Sequence, residues 1–459
     1  MAGLTASDLR EAALAAHRSG DDAKALRLYA QYLSGNPDDG TMWSNLGVLH
    51  RVNQRYEQSL RAHRRAARLK PEATSVLNNF ANTLNDVGLY DESINVRHRF
   101  LALSPDDANQ KALVGRAMRG KGDYDAAIDW LRRCMAEHPE ESELELQLAF
   151  ALLGRGDYEE GFRRYDARWR SDEMKKVDYP YPKWDGEDLA GKRVLVVPEQ
   201  GFGDAVLTLR FLPALKARGA EVGVLVERPM HRLFAELEGA DRIELQISRT
   251  EPFDFRIPYM DLPKLGLTSR ADVPAPAKLA LHQDSRSRAR GFVGPYRDVL
   301  RVGVVWSGSA TYKGNAFRSF SHTDLLPLSD VPGVQLFSLY KGPFLEPYRG
   351  DGSEAFILDT ASSDRDFADC AATMMEMDLI VTSDTATAHI AGSLGIPTWV
   401  VLHWDSFWVY SHHGETTPWY PSMRLFRQPE PRNWEEPLAR VRTELEAMAT
   451  ERKKEAAVG

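Results

Sequence analysis

The sequence predicts an α plus α/β chain: a stack of paired helices over the first third, then two α/β blocks built on parallel sheets. Pro37, Pro71, Pro105 and Pro139 follow one another at intervals of 34 residues, and Tyr56, Tyr90, Tyr124 and Tyr158 keep the same interval, which marks a repeated helix pair. Beyond residue 190 short apolar runs alternate with helical ones, the pattern of strands and helices in parallel sheets. At 459 residues the chain is too long for one ordinary core, and roughly 100 to 200 residues per domain gives about three.

The repeats come first. Gly88, Gly122 and Gly156 share the period, and Gly20 stands two periods before Gly88. In the second unit Trp43, Leu46, Gly47, Tyr56 and Pro71 fall at a spacing that resembles the tetratricopeptide repeat, a helix-turn-helix unit that stacks because it cannot bury its apolar face alone. Gly47 is small where two helices cross, Trp43 and Leu46 share the face toward the partner helix, and Pro71 ends the second helix. Ala25, Ser59, Ser93, Ala127 and Gly161 recur at a small-residue position of that second helix. The period stops after Trp169, and Tyr179-Pro180-Tyr181-Pro182 reads as an extended linker.

The first α/β block is expected to run as a strand over 193–199, a turn through Gly201-Phe202-Gly203-Asp204, a helix over 205–218 ended by Gly219, and a strand over 221–227. The second has strands over 301–306, 334–339, 356–358, 378–382 and 398–402, with 274–295 as the joint and an amphipathic helix over 434–457. Two Rossmann-like halves facing each other across a cleft make the architecture called GT-B. The expected division is 1–172 for the repeats, 173–190 for the linker, 191–285 for the first half, and 286–459 for the second half with the terminal helix.

Composition excludes several classes. With 43% hydrophobic residues and a formal charge of −8 the chain lacks the basic excess of a nucleic-acid binder. Cys134 and Cys370 are too few for a disulfide framework or a cysteine zinc site. Asp8, Arg10 and Glu11 interrupt the start where a signal peptide needs an apolar run, and no 18 apolar residues stand in succession, so the expectation is a cytoplasmic protein without a membrane span.

Two turns carry candidate chemistry. Gln200-Gly201-Phe202-Gly203-Asp204 lies at the carboxyl end of a strand, where ligands of doubly wound sheets bind. It is not a dinucleotide fingerprint, because Val206 stands where the third glycine belongs. Asp204 then reads either as a carboxylate facing the cleft or as the N-cap of the following helix. Ser383-Asp384-Thr385-Ala386-Thr387-Ala388-His389 is again strand, turn and helix, and its free backbone N–H groups beside hydroxyls and an imidazole suit a phosphate. Taken singly, His389 reads as a packed helix histidine and Asp384 as a cap; taken together the cluster fits a phosphate better than a core. Asp364-Arg365-Asp366 precedes a helix and reads as its cap, and no metal is expected.

Here a second resemblance becomes specific. Asp384, Thr385, His389 and Ala391 match the phosphate-binding helix start of the heptosyltransferase-like glycosyltransferases, and Gly203-Asp204 matches that family's Gly-Asp turn. Bacterial members with amino-terminal tetratricopeptide repeats also carry counterparts of Glu199 to Asp204, Trp306-Ser307-Gly308, Arg318-Ser319 and Trp419-Tyr420-Pro421. The resemblance implies Asp204 as general base, with His389 as the other catalytic candidate. It implies a nucleotide-sugar phosphate held by Ser307, Arg318, Asp384, Thr385, Thr387 and His389. Where heptosyltransferases place a lysine, this chain offers Lys313 and Arg318, and Lys341 is a second candidate cation. Gln200 joins the acceptor side. Asn45 and Asn79 are 34 apart, and by resemblance to the repeats of O-linked N-acetylglucosamine transferases their amides would grip a polypeptide; Leu113 and Gln147 break that ladder, and two polar surface residues are the other reading. The implied activity is protein O-glycosylation without a cofactor, with flagellin as acceptor and, in that case, a CMP-activated nonulosonic acid as donor. A lipid-linked or saccharide acceptor, or a non-catalytic repeat scaffold, are the alternatives.

Overall fold

A computed structural model describes residues 5–171, 177–199, 201–247 and 252–458. The chain divides into two compact units, Met1–Ala151 and Leu152–Gly459. Among the described residues no helix is long and apolar enough to cross a membrane.

The first unit is a run of helix pairs: α1 (Ala6–Arg18) with α2 (Asp22–Gly35), α3 (Gly40–Val52) with α4 (Tyr56–Leu69), α5 (Thr74–Asp86) with α6 (Tyr90–Leu103), and α7 (Ala108–Gly120) with α8 (Tyr124–Glu137). Each periodic residue has its local reason. Pro37, Pro71, Pro105 and Pro139 hold the residue before them, Asn36, Lys70, Ser104 and His138, at φ near −135°, off the helix, so α2, α4, α6 and α8 end alike. The turn inside each pair needs a left-handed residue; Gly20, Gly88, Gly122 and Gly156 supply it, and Gln54 occupies the same position at φ 57° at a cost of about 1 kcal/mol. Gly47 lies so close to the buried His63 ring that a Cβ would meet it at 2.6 Å. Ser59 and Ser93 donate hydrogen bonds to the Gly47 and Ala81 carbonyls at 2.8 and 2.9 Å, so the small-residue position stitches the two helices of a pair.

The division falls inside α9 (Ser142–Arg155). The second unit therefore starts with the end of α9, α10 (Tyr158–Arg164) and a 3₁₀ turn, Tyr165–Arg170. It contains two all-parallel sheets. The four-stranded one is formed by β1 (Arg193–Val197), β2 (Glu221–Leu225), β3 (Arg242–Glu244) and β4 (Phe255–Pro258) in the order β3-β2-β1-β4. The six-stranded one has β5 (Leu300–Val305), β6 (Val334–Ser338), β7 (Ile357–Asp359), β8 (Leu379–Ser383), β9 (Thr398–Leu402) and β10 (Met423–Arg427) in the order β10-β9-β8-β5-β6-β7. A repeat region followed by a parallel-sheet α/β region is thus the architecture. The expected helix over 205–218 is corrected: it is a helix Phe202–Thr208, a 3₁₀ turn Leu209–Phe211 and a short helix Leu212–Lys216. Pro213 causes the break, since it has no N–H to donate and its ring collides with the carbonyl four residues back. Within the expected joint over 274–295, Gln283–Val293 is a helix.

The segment after α9 is built into the α/β core. Arg168 is 2% exposed and donates to Glu199 at 2.9 and 3.1 Å and to Asp261 at 2.9 Å, joining the residues that follow β1 and β4. Lys183 and Lys264 also reach Asp261, at 2.9 and 3.1 Å. Burial disfavours the Asp261 charge, yet Arg168 and the two lysines hold its carboxyl well below the usual range. On its other side Tyr158 accepts a hydrogen bond from the Trp419 indole at 3.1 Å, and Phe162 packs edge-on against Trp408 at 5.4 Å, so α10 also grips the region between β9 and β10. Removing the guanidinium leaves two buried carboxylates short of a partner, so Arg168→Ala should destabilise the second unit by about 3–5 kcal/mol, measured by urea unfolding of the full chain, with Arg168→Lys intermediate.

Candidate functional site

Both sheets have a strand flanked by connections that leave in opposite directions. β1 lies between β2 and β4, and β5 lies between β6 and β8. At the carboxyl end of such a strand the loops part and leave a crevice. Glu199 and the Gly201–Asp204 turn follow β1; Ser307 follows β5; Asp384 follows β8.

In the first crevice Gly201 caps the Phe202–Thr208 helix and Asp204 is its third residue, so of the two readings of Asp204 the N-cap does not hold: its carboxylate points back and accepts the Gly201 N–H at 3.1 Å. The second carboxylate oxygen is left for other work. Asp204 keeps some exposure at the crevice floor, but protein crowds it enough that burial, opposed by the Gly201 bond and reinforced by Glu199 and Asp384, pushes its pKa up to about 7; Arg318 acts in the opposite sense. The 3₁₀ turn after this helix holds a further charge, Arg210, 3% exposed, which donates to the Trp419 carbonyl at 2.8 Å and the Leu207 carbonyl at 2.9 Å with its guanidinium over the Tyr420 ring at 4.6 Å.

In the second crevice Ser307 is tied to Ser319 and Asn315, each at 3.0 Å, and Asn315 accepts the Gly308 N–H at 3.1 Å, which folds residues 307–319 into a cradle. Gly308 leaves room for the guanidinium: a Cβ there would stand 2.8 Å from Arg318 and 3.3 Å from Thr385, so a side chain would displace Arg318. Arg318 is thereby placed beside the start of the helix Ala386–Ser393, whose N-cap is Thr385. Its Nε is buried without a hydrogen-bond partner, and its guanidinium lies 4.5 Å from the centre of the Tyr312 ring. Asp384 is 5% exposed; burial pushes its carboxyl up, while Arg318 and His403 pull it down. The Tyr410 hydroxyl faces Asp384 but is buried without a well-formed hydrogen bond.

The two crevices meet at His389. A Cβ on Gly203 would touch its imidazole at 3.0 Å, and its Nδ1 lies 3.0 Å from the Tyr420 hydroxyl. Burial, with Arg210 and Arg318 nearby, pushes His389 down to about 3, so the imidazole is neutral at ordinary pH.

Asp204, Arg318, Asp384, Thr385 and His389 are thus brought together, with Thr387 buried in the first turn of the same helix and Ser307 bracing the opposite wall. Lys341 is not in this group: its ammonium is held by the Asp364 carbonyl. Asn79 donates its amide to Ser44 at 3.2 Å, and Asn45 lies half-buried on α3, both in the first unit. Gln200 lies outside the described residues. Asp366 caps the helix Phe367–Met374 by accepting the Ala368 and Asp369 N–H groups at 3.0 and 3.3 Å. Among the described residues no group of three or more His, Cys, Asp or Glu side chains is placed to hold a metal. Sequence reasoning missed Arg210, Tyr312 and His403. Arg210 had a signal, a single cation inside the apolar run from Val206 to Leu212, and His403 had another, its place directly after β9.

No protein-family model matches the chain. Protein FlbA of Caulobacter vibrioides (strain ATCC 19089 / CIP 103742 / CB 15) is 28% identical over 326 residues, which are 63% of this chain and 52% of FlbA; the chain spans about half the length of the curated relative it matches. Among solved structures, MamA 41-end from Desulfovibrio magneticus RS-1 is 18% identical and covers 37% of this chain and 100% of its own, with a TM-score of 0.34. A tetratricopeptide repeat protein from Parabacteroides merdae ATCC 43184 is 18% identical over 37% of this chain and 69% of its own, also with a TM-score of 0.34.

The raised Asp204 pKa has a stability sign. A carboxyl harder to ionise in the fold than in the open chain favours the fold below its unfolded value, near 3.8, and loses that contribution as pH rises to about 7. Asp204→Asn, which keeps an oxygen for Gly201, should therefore be more stable than the parent by about 1–3 kcal/mol at pH 8 and no more stable at pH 4, checked by thermal unfolding at both.

Proposed function

We propose that the chain is a protein O-glycosyltransferase whose two α/β halves form a GT-B catalytic region. The observation that carries this is the pairing of Asp204, a carboxylate that titrates near neutrality, with Arg318, a guanidinium with a buried, unpartnered N–H, at the meeting point of two crevices. An acid-base group poised near the working pH is what proton removal from a hydroxyl needs. A fixed cation at a helix start is what a departing phosphate needs.

In the reaction the acceptor oxygen attacks the anomeric carbon, the bond from that carbon to the donor phosphate oxygen breaks, the hydroxyl proton passes to the Asp204 carboxylate, and the nucleotide leaves with the bonding pair. With no covalent intermediate the anomeric centre inverts. Arg318, the N–H groups at Thr385 and Thr387, and Ser307 hold the phosphate. His389, with a pKa near 3, is a poor base and serves as a neutral hydrogen-bonding wall. Asp384 is a carboxylate beside the phosphate position, so its role is to orient Arg318 rather than to bind phosphate itself. One guanidinium faced by Asp204 and Asp384 is better matched to a donor with a single phosphate charge than to a diphosphate, which supports a CMP-activated nonulosonic acid. The polypeptide, with flagellin the leading candidate, is held by the repeats through Asn45 and Asn79.

Mass spectrometry of flagellin incubated with full-length protein and nucleotide sugar tests the chemistry. Asp204→Asn should lower transfer by about 10²–10⁴ while calorimetry shows donor binding intact; an undiminished rate removes Asp204 as the base. Asn45→Ala with Asn79→Ala should raise the acceptor KM by about fivefold per lost hydrogen bond, with donor hydrolysis in the absence of acceptor unchanged.

A further inference from the structure

Parallel sheets bury both faces, and the first sheet departs from that rule at one corner. Leu195 and Val197, on one face of β1, are covered by Tyr181 and Phe253, with Tyr179, Leu225 and Ile247 packed around them. Tyr179 and Tyr181 belong to the extended linker, which follows the edge of β4 through a parallel bridge between Lys183 and Arg256. Among the described residues this cover ends short of the carboxyl ends of β2 and β3. A cavity of about 420 Å³ remains there, lined by Val177, Tyr179, Leu225, Leu245 and Ile247, with the exposed charges of Glu227 and Arg228 beside it. Val177 and Leu245 are 55% and 45% exposed, unusual for aliphatic side chains that share one recess.

The cavity opens at the same end of the same sheet as Asp204. Pro198, Val226 and Glu227 line both it and a narrow crevice that continues to Gly201, Phe202 and Ala205. The cavity therefore adjoins the crevice that reaches Gly201, the N-cap of the helix carrying Asp204. We infer that it is an acceptor subsite for a polypeptide, taking an apolar side chain adjacent in sequence to the target hydroxyl; this rests on the transferase reading above. The lining selects that occupant. Sugar hydroxyls pressed against valine, leucine and isoleucine would lose their hydrogen bonds to water without replacement, whereas an aliphatic side chain gains from leaving water. One carboxylate and one guanidinium at the mouth offer an acceptor and a donor, which is what the backbone N–H and C=O of a bound peptide require. The volume falls within the range of ligand pockets. The inference also assigns specificity to the α/β region itself, apart from any grip the repeats exert.

The test uses full-length protein and two fluorescently labelled peptides, Gly-Val-Ser-Leu-Gly and the same peptide with asparagine for valine and leucine, followed by anisotropy. The apolar peptide should bind at least tenfold more tightly, and Leu245→Asp should abolish the difference; Leu245→Ser, a milder change at a half-exposed site, should reduce it. Equal affinities, absence of binding by both peptides, or a preference untouched by Leu245→Asp would overturn the subsite. Displacement of neither peptide by free N-acetylglucosamine is expected, and tenfold displacement would assign the cavity to a saccharide instead. The two readings fail separately. A peptide preference sensitive to Leu245→Asp without any sugar transfer by the parent protein sinks the transferase and leaves the subsite. Transfer to flagellin with the same acceptor KM in the parent and in Leu245→Asp leaves the transferase and sinks the subsite.

Discussion

The second unit depends on a buried charge cluster. Arg168 comes from the end of the repeat pattern, yet its guanidinium sits between Glu199 and Asp261, the two carboxylates that follow neighbouring strands β1 and β4. Glu199 also accepts the Met260 N–H at 2.7 Å, so the cluster fixes backbone as well as side chains. The crevice floor is therefore held by a residue outside the sheet. Asp204 feels Glu199 across this floor, which makes the geometry around Arg168 part of what sets the Asp204 charge.

The electrostatics of the site follow from burial more than from any one pair. Asp204 and Asp384 each lose solvent and each is pushed upward, and Arg318 is the cation that opposes both shifts. Arg210, the other nearby cation, donates to main-chain carbonyls through Nε and Nη1 and lies against Trp419 and Tyr420, while its Nη2 is buried without a hydrogen-bond partner. The outcome is one guanidinium positioned between carboxylates from two different sheets. An incoming anion competes with these carboxylates for the guanidinium and favours their protonated forms, so ligand charge and local stability are linked at Arg318.

How much of this was legible in the sequence depends on whether a feature is local. The repeat period is local: Pro71 and Gly88 act within one turn of themselves, and they stand where the 34-residue interval puts them. Central strands are nearly local, because burial on both faces demands an unbroken apolar run such as Val194 to Val197. The strands that escaped notice, β3, β4 and β10, are all at sheet edges, where one side is unpaired and charges such as Arg242, Arg256 and Arg424 are tolerated. The site divides the same way. Asp204, Asp384 and His389 could be found because turn and helix start are written in consecutive residues. Arg210, Tyr312 and His403 matter through what other loops bring to them, and the held position of Lys341 depends on a carbonyl 23 residues further along the chain.

The division of the chain within α9 has a consequence for biosynthesis. A chain emerging from the ribosome completes Met1–Ala151 first, and that unit has its own core of paired helices on which to settle. The few turns that follow carry Tyr158, Phe162 and Arg168, whose partners are Trp419, Trp408, Glu199 and Asp261. Some 90 residues must be made before Arg168 has both carboxylates, and some 260 before Tyr158 has its indole. Throughout that interval a cation and two aromatic rings wait without a home at the root of the nascent α/β region, the exposed surface that a chaperone would be expected to hold.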